Sequence, residues 1–128
     1  MAGLEEMKKA KVVKVESEDS WNLFLSQASN HGCPVIVHFS ASWCVPSLAM
    51  NGYFEELALN YQDILFLLVD VDEVKEVAAK MEIKAMPTFV LMRDTEVLSK
   101  IVGANPDAIN NLVDSCVQST TVPQSDSV

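Results

Sequence analysis

The residues with the plainest chemistry lie in one run, Ser40-Ala41-Ser42-Trp43-Cys44-Val45-Pro46-Ser47. A short apolar segment, Val35-Ile36-Val37-His38-Phe39, precedes it and reads as a buried strand. Helical spacing from Leu48 to Tyr61 follows it. A cysteine at a strand-to-helix junction meets the unpaired N–H groups of the helix start, which favour a thiolate. Pro46 suits the first helical turn, where a missing N–H is tolerated. The spacing is that of a Cys-x-x-Cys redox site with Ser47 in the second place.

A thiolate at Cys44 can attack one sulfur of a disulfide and form a mixed disulfide. Ser47 cannot displace that bond, because its hydroxyl is barely ionised near neutral pH and forms no stable bond to sulfur. Two exits remain. A second thiol of the substrate can attack, which isomerises the substrate disulfide with no net electron transfer. An external thiol such as glutathione can attack instead, giving slow net reduction. The Ser47 hydroxyl can donate to the Cys44 thiolate, or it can simply fill the space of a thiol.

The remaining chain supplies elements to hold this run. Val12-Val13-Lys14-Val15 is a strand candidate. Ser17 can cap a helix whose apolar face is Trp21, Phe24, Leu25 and Ala28, and Asn30-His31-Gly32 ends it. The strand Pro34–Phe39 leads into the cysteine turn. The helix beyond directs Leu48, Phe54, Leu57, Ala58 and Tyr61 to a core, with a kink or close contact expected at Gly52. Ile64–Val69 is apolar without alternation, as in a strand covered on both faces. Asp72 is expected to cap a short helix facing inward through Val74, Val77, Ala78 and Met81. Thr88–Met92 and Val97–Val102 form a hairpin around Arg93-Asp94-Thr95-Glu96. Asn105 caps a last helix that begins at Pro106 and buries Ile109, Leu112, Val113 and Cys116. The order β-α-β-α-β-α-β-β-α implies an α/β fold, a mixed central sheet with helices on both faces. Residues 1–10 read as an extension, 11–118 as one domain and 119–128 as a polar tail.

At 128 residues the chain is long enough for a core without staples. Its net charge of −9 argues against nucleic acid and anionic membranes as partners. The first residues contain no apolar segment of a secretory signal, and no stretch approaches the length of a membrane span. Cys33, Cys44 and Cys116 are too few for a disulfide framework, so a reducing, cytoplasmic setting is expected. Cys33 and Cys116 are expected to be buried, inert thiols. No metal is expected, because the histidines and cysteines lack ligand spacing.

Trp43-Cys44-x-Pro46, with Met86-Pro87-Thr88-Phe89 some way downstream, resembles the thioredoxin family over about residues 10–117. Val69-Asp70-Val71-Asp72-Glu73, Ala85-Met86-Pro87-Thr88-Phe89 and Val102-Gly103-Ala104 are similar to the h-type thioredoxins of plants. The resemblance implies a thioredoxin fold and a cis peptide bond at Pro87, facing Cys44. It also implies a groove for extended substrate chain, bordered by Trp43, Val45, Pro46, Met86, Pro87, Gly103 and Ala104.

Three positions depart from the family pattern. Ser47 replaces the resolving cysteine. His38 stands where a buried aspartate usually moves protons, and Leu68 where a lysine commonly partners it. All three bear on the reductive half of the cycle and spare the nucleophile, as in the plant thioredoxin-like proteins with a Cys-x-x-Ser site. The resemblance therefore implies weak reductase activity with isomerase activity retained, on protein disulfides, by a monomer without a cofactor. In a core strand His38 is either a neutral, hydrogen-bonded packing residue or, beneath Cys44, a proton relay. The rival reading is a module that captures oxidised partners without turnover. An iron–sulfur site of the monothiol glutaredoxin kind lacks its glutathione-binding signature here.

Overall fold

The computed structural model describes residues 12–121, with side chains described through residue 117. The expected extension at residues 1–10 and most of the tail lie outside the described residues. Among the described residues five strands form one sheet: β1 (Val12–Val15), β2 (Val35–Ser40), β3 (Leu65–Asp70), β4 (Thr88–Arg93) and β5 (Glu96–Val102). Their order across the sheet is β1-β3-β2-β4-β5. β1, β3 and β2 run parallel, β4 pairs antiparallel to β2, and β5 pairs antiparallel to β4. The fold is therefore the expected mixed α/β sheet.

β2 is the central strand, and all six of its residues are buried. Val35, Val37 and Phe39 point to one face, where α1 (Glu18–Asn30) contributes Trp21, Leu25 and Ala28 and α4 (Lys75–Lys80) contributes Val77. Ile36 points to the other face, against Phe54, Leu57 and Ala58 of α3 (Asn51–Asn60) and Ile109, Leu112, Val113 and Cys116 of α5 (Pro106–Thr121). Burial on both faces explains why β2 reads as an unbroken apolar run.

Local chemistry sets the ends of these elements. Ser17 and Ser20 form a capping box at the start of α1, and Cys33 N–H closes its end on the Ala28 carbonyl at 2.8 Å. Gly32 takes the positive φ of 65° that this ending requires. Asn105 Oδ1 accepts from Ala108 N–H at 3.2 Å, capping α5 as expected. The β4–β5 hairpin turns through Asp94 and Thr95, whose φ values of 54° and 66° match the twist of the strands.

Two expectations at helix starts and bends are corrected. Asp72 does not cap α4: the N-cap is Val74, with no side-chain cap bond, and the turn before it is braced by Asp70, whose Oδ1 accepts from the N–H groups of Asp72 at 2.8 Å and Glu73 at 3.2 Å. Asp70 ends β3 and its carboxylate reaches the turn directly, whereas the Asp72 side chain is turned toward Trp43. The helix expected from Leu48 to Tyr61 is two helices, α2 (Val45–Ala49) and α3, divided at Met50. There the N–H of Met50 bonds back three residues to Ser47 at 3.1 Å, so the turn tightens. The bend buries Met50 at 5% exposure and leaves Leu48, expected in the core, at 43%. Gly52 neither bends the helix nor meets a close neighbour; a Cβ there would point into open space.

Candidate active site

Cys44 is the N-cap of α2, with extended backbone (φ −99°, ψ 103°). Its N–H donates to the Ala41 carbonyl at 3.0 Å, and its carbonyl accepts from Leu48 at 3.0 Å. The thiol is thereby held at the end of a helix whose first turn also contains Pro46. Cys44 Sγ donates to the Met86 carbonyl at 3.5 Å. The Met86–Pro87 peptide is cis, as the resemblance implied.

Met86 and Pro87 are tied to the loop after β5, because Gly103 N–H donates to the Pro87 carbonyl at 2.8 Å. Gly103 adopts φ 111°, a conformation that suits glycine. Thr88 Oγ1 donates to the Ala85 carbonyl at 2.6 Å, which braces the other side of Pro87. Trp43 and Val45 flank the thiol and are 63% and 73% exposed, a large apolar area left open to solvent. The Trp43 indole Nε1–H donates to Asp72 Oδ2 at 2.7 Å, which fixes the ring beside the turn. Hydrogen bonds thus join the Cys44 thiol to Met86 and the Pro87 carbonyl to Gly103, with Trp43, Val45 and Pro46 next to the thiol along the chain and Ala104 next to Gly103.

Beneath the turn, Ser47 is fully buried. Its hydroxyl does not reach for the thiol: it donates to Ser40 Oγ at 2.9 Å, and His38 Nε2 lies 3.3 Å from Ser47 Oγ. Of the two roles open to Ser47, donor to Cys44 or filler of a thiol's space, the hydroxyl does not take the first and is bonded to Ser40 instead. His38 is fully buried, stacked on Phe89 at 4.5 Å and edge-on to Phe54 at 5.3 Å. Its Nδ1 has no hydrogen-bond partner among the described residues. Burial lowers its pKa from 6.5 to about 4, so the ring is neutral near pH 7. His38 therefore touches Ser47 rather than Cys44, and a proton passing from Cys44 to it would cross Ser47. Leu68 is the register neighbour of His38 on β3 and offers it no charge.

The other thiols lie at the far end of β2. Cys33 donates to the carbonyls of Asp63 at 3.1 Å and Pro34 at 3.3 Å, and it lines a cleft with Arg93 and Cys116. The strand between Cys33 and the turn at Cys44 spans about 17 Å, at roughly 3.3 Å per residue. Burial pushes the thiol pKa up at both Cys33 and Cys116. Cys116 is buried as expected, whereas Cys33 is only partly so.

Two members of the site escaped the sequence reading. Ser40 was legible in principle, because alternation along β2 puts it on the same face as His38. Asp72 was not, because nothing local ties it to an indole 29 positions earlier.

A model of the thioredoxin family matches residues 11–115. The thioredoxin-like protein CXXS1 of Arabidopsis thaliana is 58% identical over 113 residues, covering 88% of this chain and 96% of that protein. The thioredoxin-like protein CXXS1 of Oryza sativa subsp. japonica is 60% identical over 110 residues, covering 86% and 83%. Among solved structures, a poplar wild-type thioredoxin h superposes with a TM-score of 0.81 at 37% identity, covering 84% of this chain and 96% of that one. Fold, sequence match and the cysteine turn agree: the chain belongs to the thioredoxin family of thiol–disulfide oxidoreductases.

Proposed function

We propose that this protein rearranges disulfides in protein substrates through the single thiol of Cys44, with isomerase activity and only weak net reductase activity. One observation carries the reading. The place of a resolving sulfur is held by Ser47, buried and bonded to Ser40, while Cys33 and Cys116 sit at the opposite end of β2.

The Cys44 thiolate attacks one sulfur of a substrate disulfide. A new bond forms to Cys44, the substrate bond breaks, and the second substrate sulfur leaves as a thiolate. A different thiolate of the same substrate then attacks the substrate sulfur of the mixed disulfide and expels Cys44 unchanged. Two substrate thiols have exchanged partners and no electrons have been consumed. Net reduction instead needs two glutathione thiols per turnover, one to release the substrate and one to free Cys44 as glutathione disulfide forms.

The exposed Trp43 and Val45, together with Pro46, Met86, Pro87, Gly103 and Ala104, form the groove that receives extended substrate chain beside the thiol. The Met86 carbonyl, 3.5 Å from Sγ, marks the line along which that chain lies. Reactivation of scrambled ribonuclease, with Cys44→Ser as the control, tests the reading. Catalytic recovery by the wild type and none by the variant is expected. Stoichiometric trapping without recovery would replace the isomerase by a capture module.

A further inference from the structure

Ser40 ends the buried polar chain that runs beneath the cysteine turn through His38 and Ser47. It shares a face of β2 with Ile36 and His38 and is the member nearest the cysteine turn. Its side chain is 5% exposed, and its Oγ accepts the proton of Ser47 at 2.9 Å. A serine hydroxyl has one proton to give. With that proton directed to Ser40, the 3.3 Å contact from His38 is a hydrogen bond only if Nε2 carries the ring proton. The chain therefore runs from His38 to Ser47 to Ser40, away from the thiol.

Cys44 and Ser47 occupy the N-cap and N3 positions of α2. Side chains at those two positions lie over the same first turn of a helix, close enough in a capping box for each to reach the other residue's backbone N–H. A thiolate at the N-cap is a stronger acceptor than a neutral hydroxyl, since hydrogen bonds to ionised groups are about twice as strong. A free Ser47 hydroxyl would turn to it. We infer that Ser40 is a positioning residue for Cys44: by taking the Ser47 proton it withholds that hydroxyl from the thiolate.

The consequence for exchange rests on the function proposed above. In the release step a substrate thiolate forms a bond to the substrate sulfur as the bond to Cys44 breaks, and the electron pair leaves on Cys44. A thiol of lower pKa leaves faster and attacks less well. Withholding the donor makes each Cys44 thiolate intrinsically more nucleophilic and a slower leaving group, so Ser40 lengthens the life of the mixed disulfide.

The withheld hydroxyl is testable with no substrate disulfide at all. The rate of Cys44 alkylation by iodoacetamide is followed against pH in the full chain, read at the Cys44 peptide. Ser40→Ala, and Ser40→Val should alanine not fold, lower the midpoint by about one pH unit, a tenfold rise in thiolate fraction below it. Ser40→Thr keeps the acceptor and the wild-type midpoint, and its shape matches valine. Ser40→Val/Ser47→Ala shows no shift relative to Ser47→Ala. Asp72 and neutral His38 are common to every variant and do not produce the difference. An unmoved midpoint in the folded valine variant, or a shift that survives removal of Ser47, overturns the inference. A shifted midpoint without faster thiol cleavage of a Cys44–glutathione mixed disulfide overturns the consequence for exchange and leaves the withheld hydroxyl standing.

Discussion

A sulfur replaced by an oxygen separates this site from that of a dithiol thioredoxin. Ser47→Cys restores an internal thiol three residues from Cys44, and dithiothreitol-dependent reduction of insulin is expected to rise well above the wild-type rate. Wild-type reduction already as fast as the variant would mean that another cysteine resolves the mixed disulfide. His38 carries a second prediction, on stability. Below pH 6.5 the unfolded chain binds a proton at this ring that the folded chain refuses until about pH 4. The unfolded state then binds more protons, so stability falls as pH falls through that window, by roughly 1.4 kcal/mol per unit. Urea titrations between pH 7 and 4 should show this slope in the wild type, and His38→Gln should lack it. An equal slope in both proteins would mean that the ring is charged when buried, against the aromatic packing of Phe89 and Phe54.

Elements hold the site through their ends and their faces. The capping box of Ser17 and Ser20 starts α1, whose Trp21 and Leu25 pack behind Val37 and Phe39 of β2. Ser17→Ala leaves the N–H of Ser20 without its acceptor and is expected to lower stability by about 1 kcal/mol. A lower urea midpoint with an unchanged denaturant slope is the check; no change would mean that packing alone holds α1. Phe54 on α3 is 1% exposed and touches the rings of His38, Phe66 and Phe89. Phe54→Ala opens a cavity under the cysteine turn and is expected to destabilise by about 3–5 kcal/mol, measured the same way. The break between α2 and α3 lets one helix present Cys44 while the next buries Phe54.

Across the molecule, the sheet separates one reactive pole from one quiet pole. With limiting iodoacetamide at neutral pH, Cys44 is expected to react first, the partly buried Cys33 next, and Cys116 last. Peptide mapping checks the order, and equal labelling of all three would contradict the pole assignment. The −9 charge is a property of the whole chain and places no specific partner.

The order of elements, the cores of α1, α3 and α5, the caps at Ser17 and Asn105, and the thiol before a helix start were all legible in the sequence. Each depends on residues a few positions apart, and periodicity and capping act over that range. The cis Pro87 and the grouping of the groove were legible only through family resemblance. Three other features became visible only in the folded chain: Ser47 turned to Ser40, Trp43 held by Asp72, and the bend at Met50 that exposes Leu48. In each case the deciding group lies on another element or depends on how helices pack against the sheet. Which acceptor takes a hydroxyl proton, and which face of a short helix meets the core, is settled by distance in three dimensions rather than spacing along the chain.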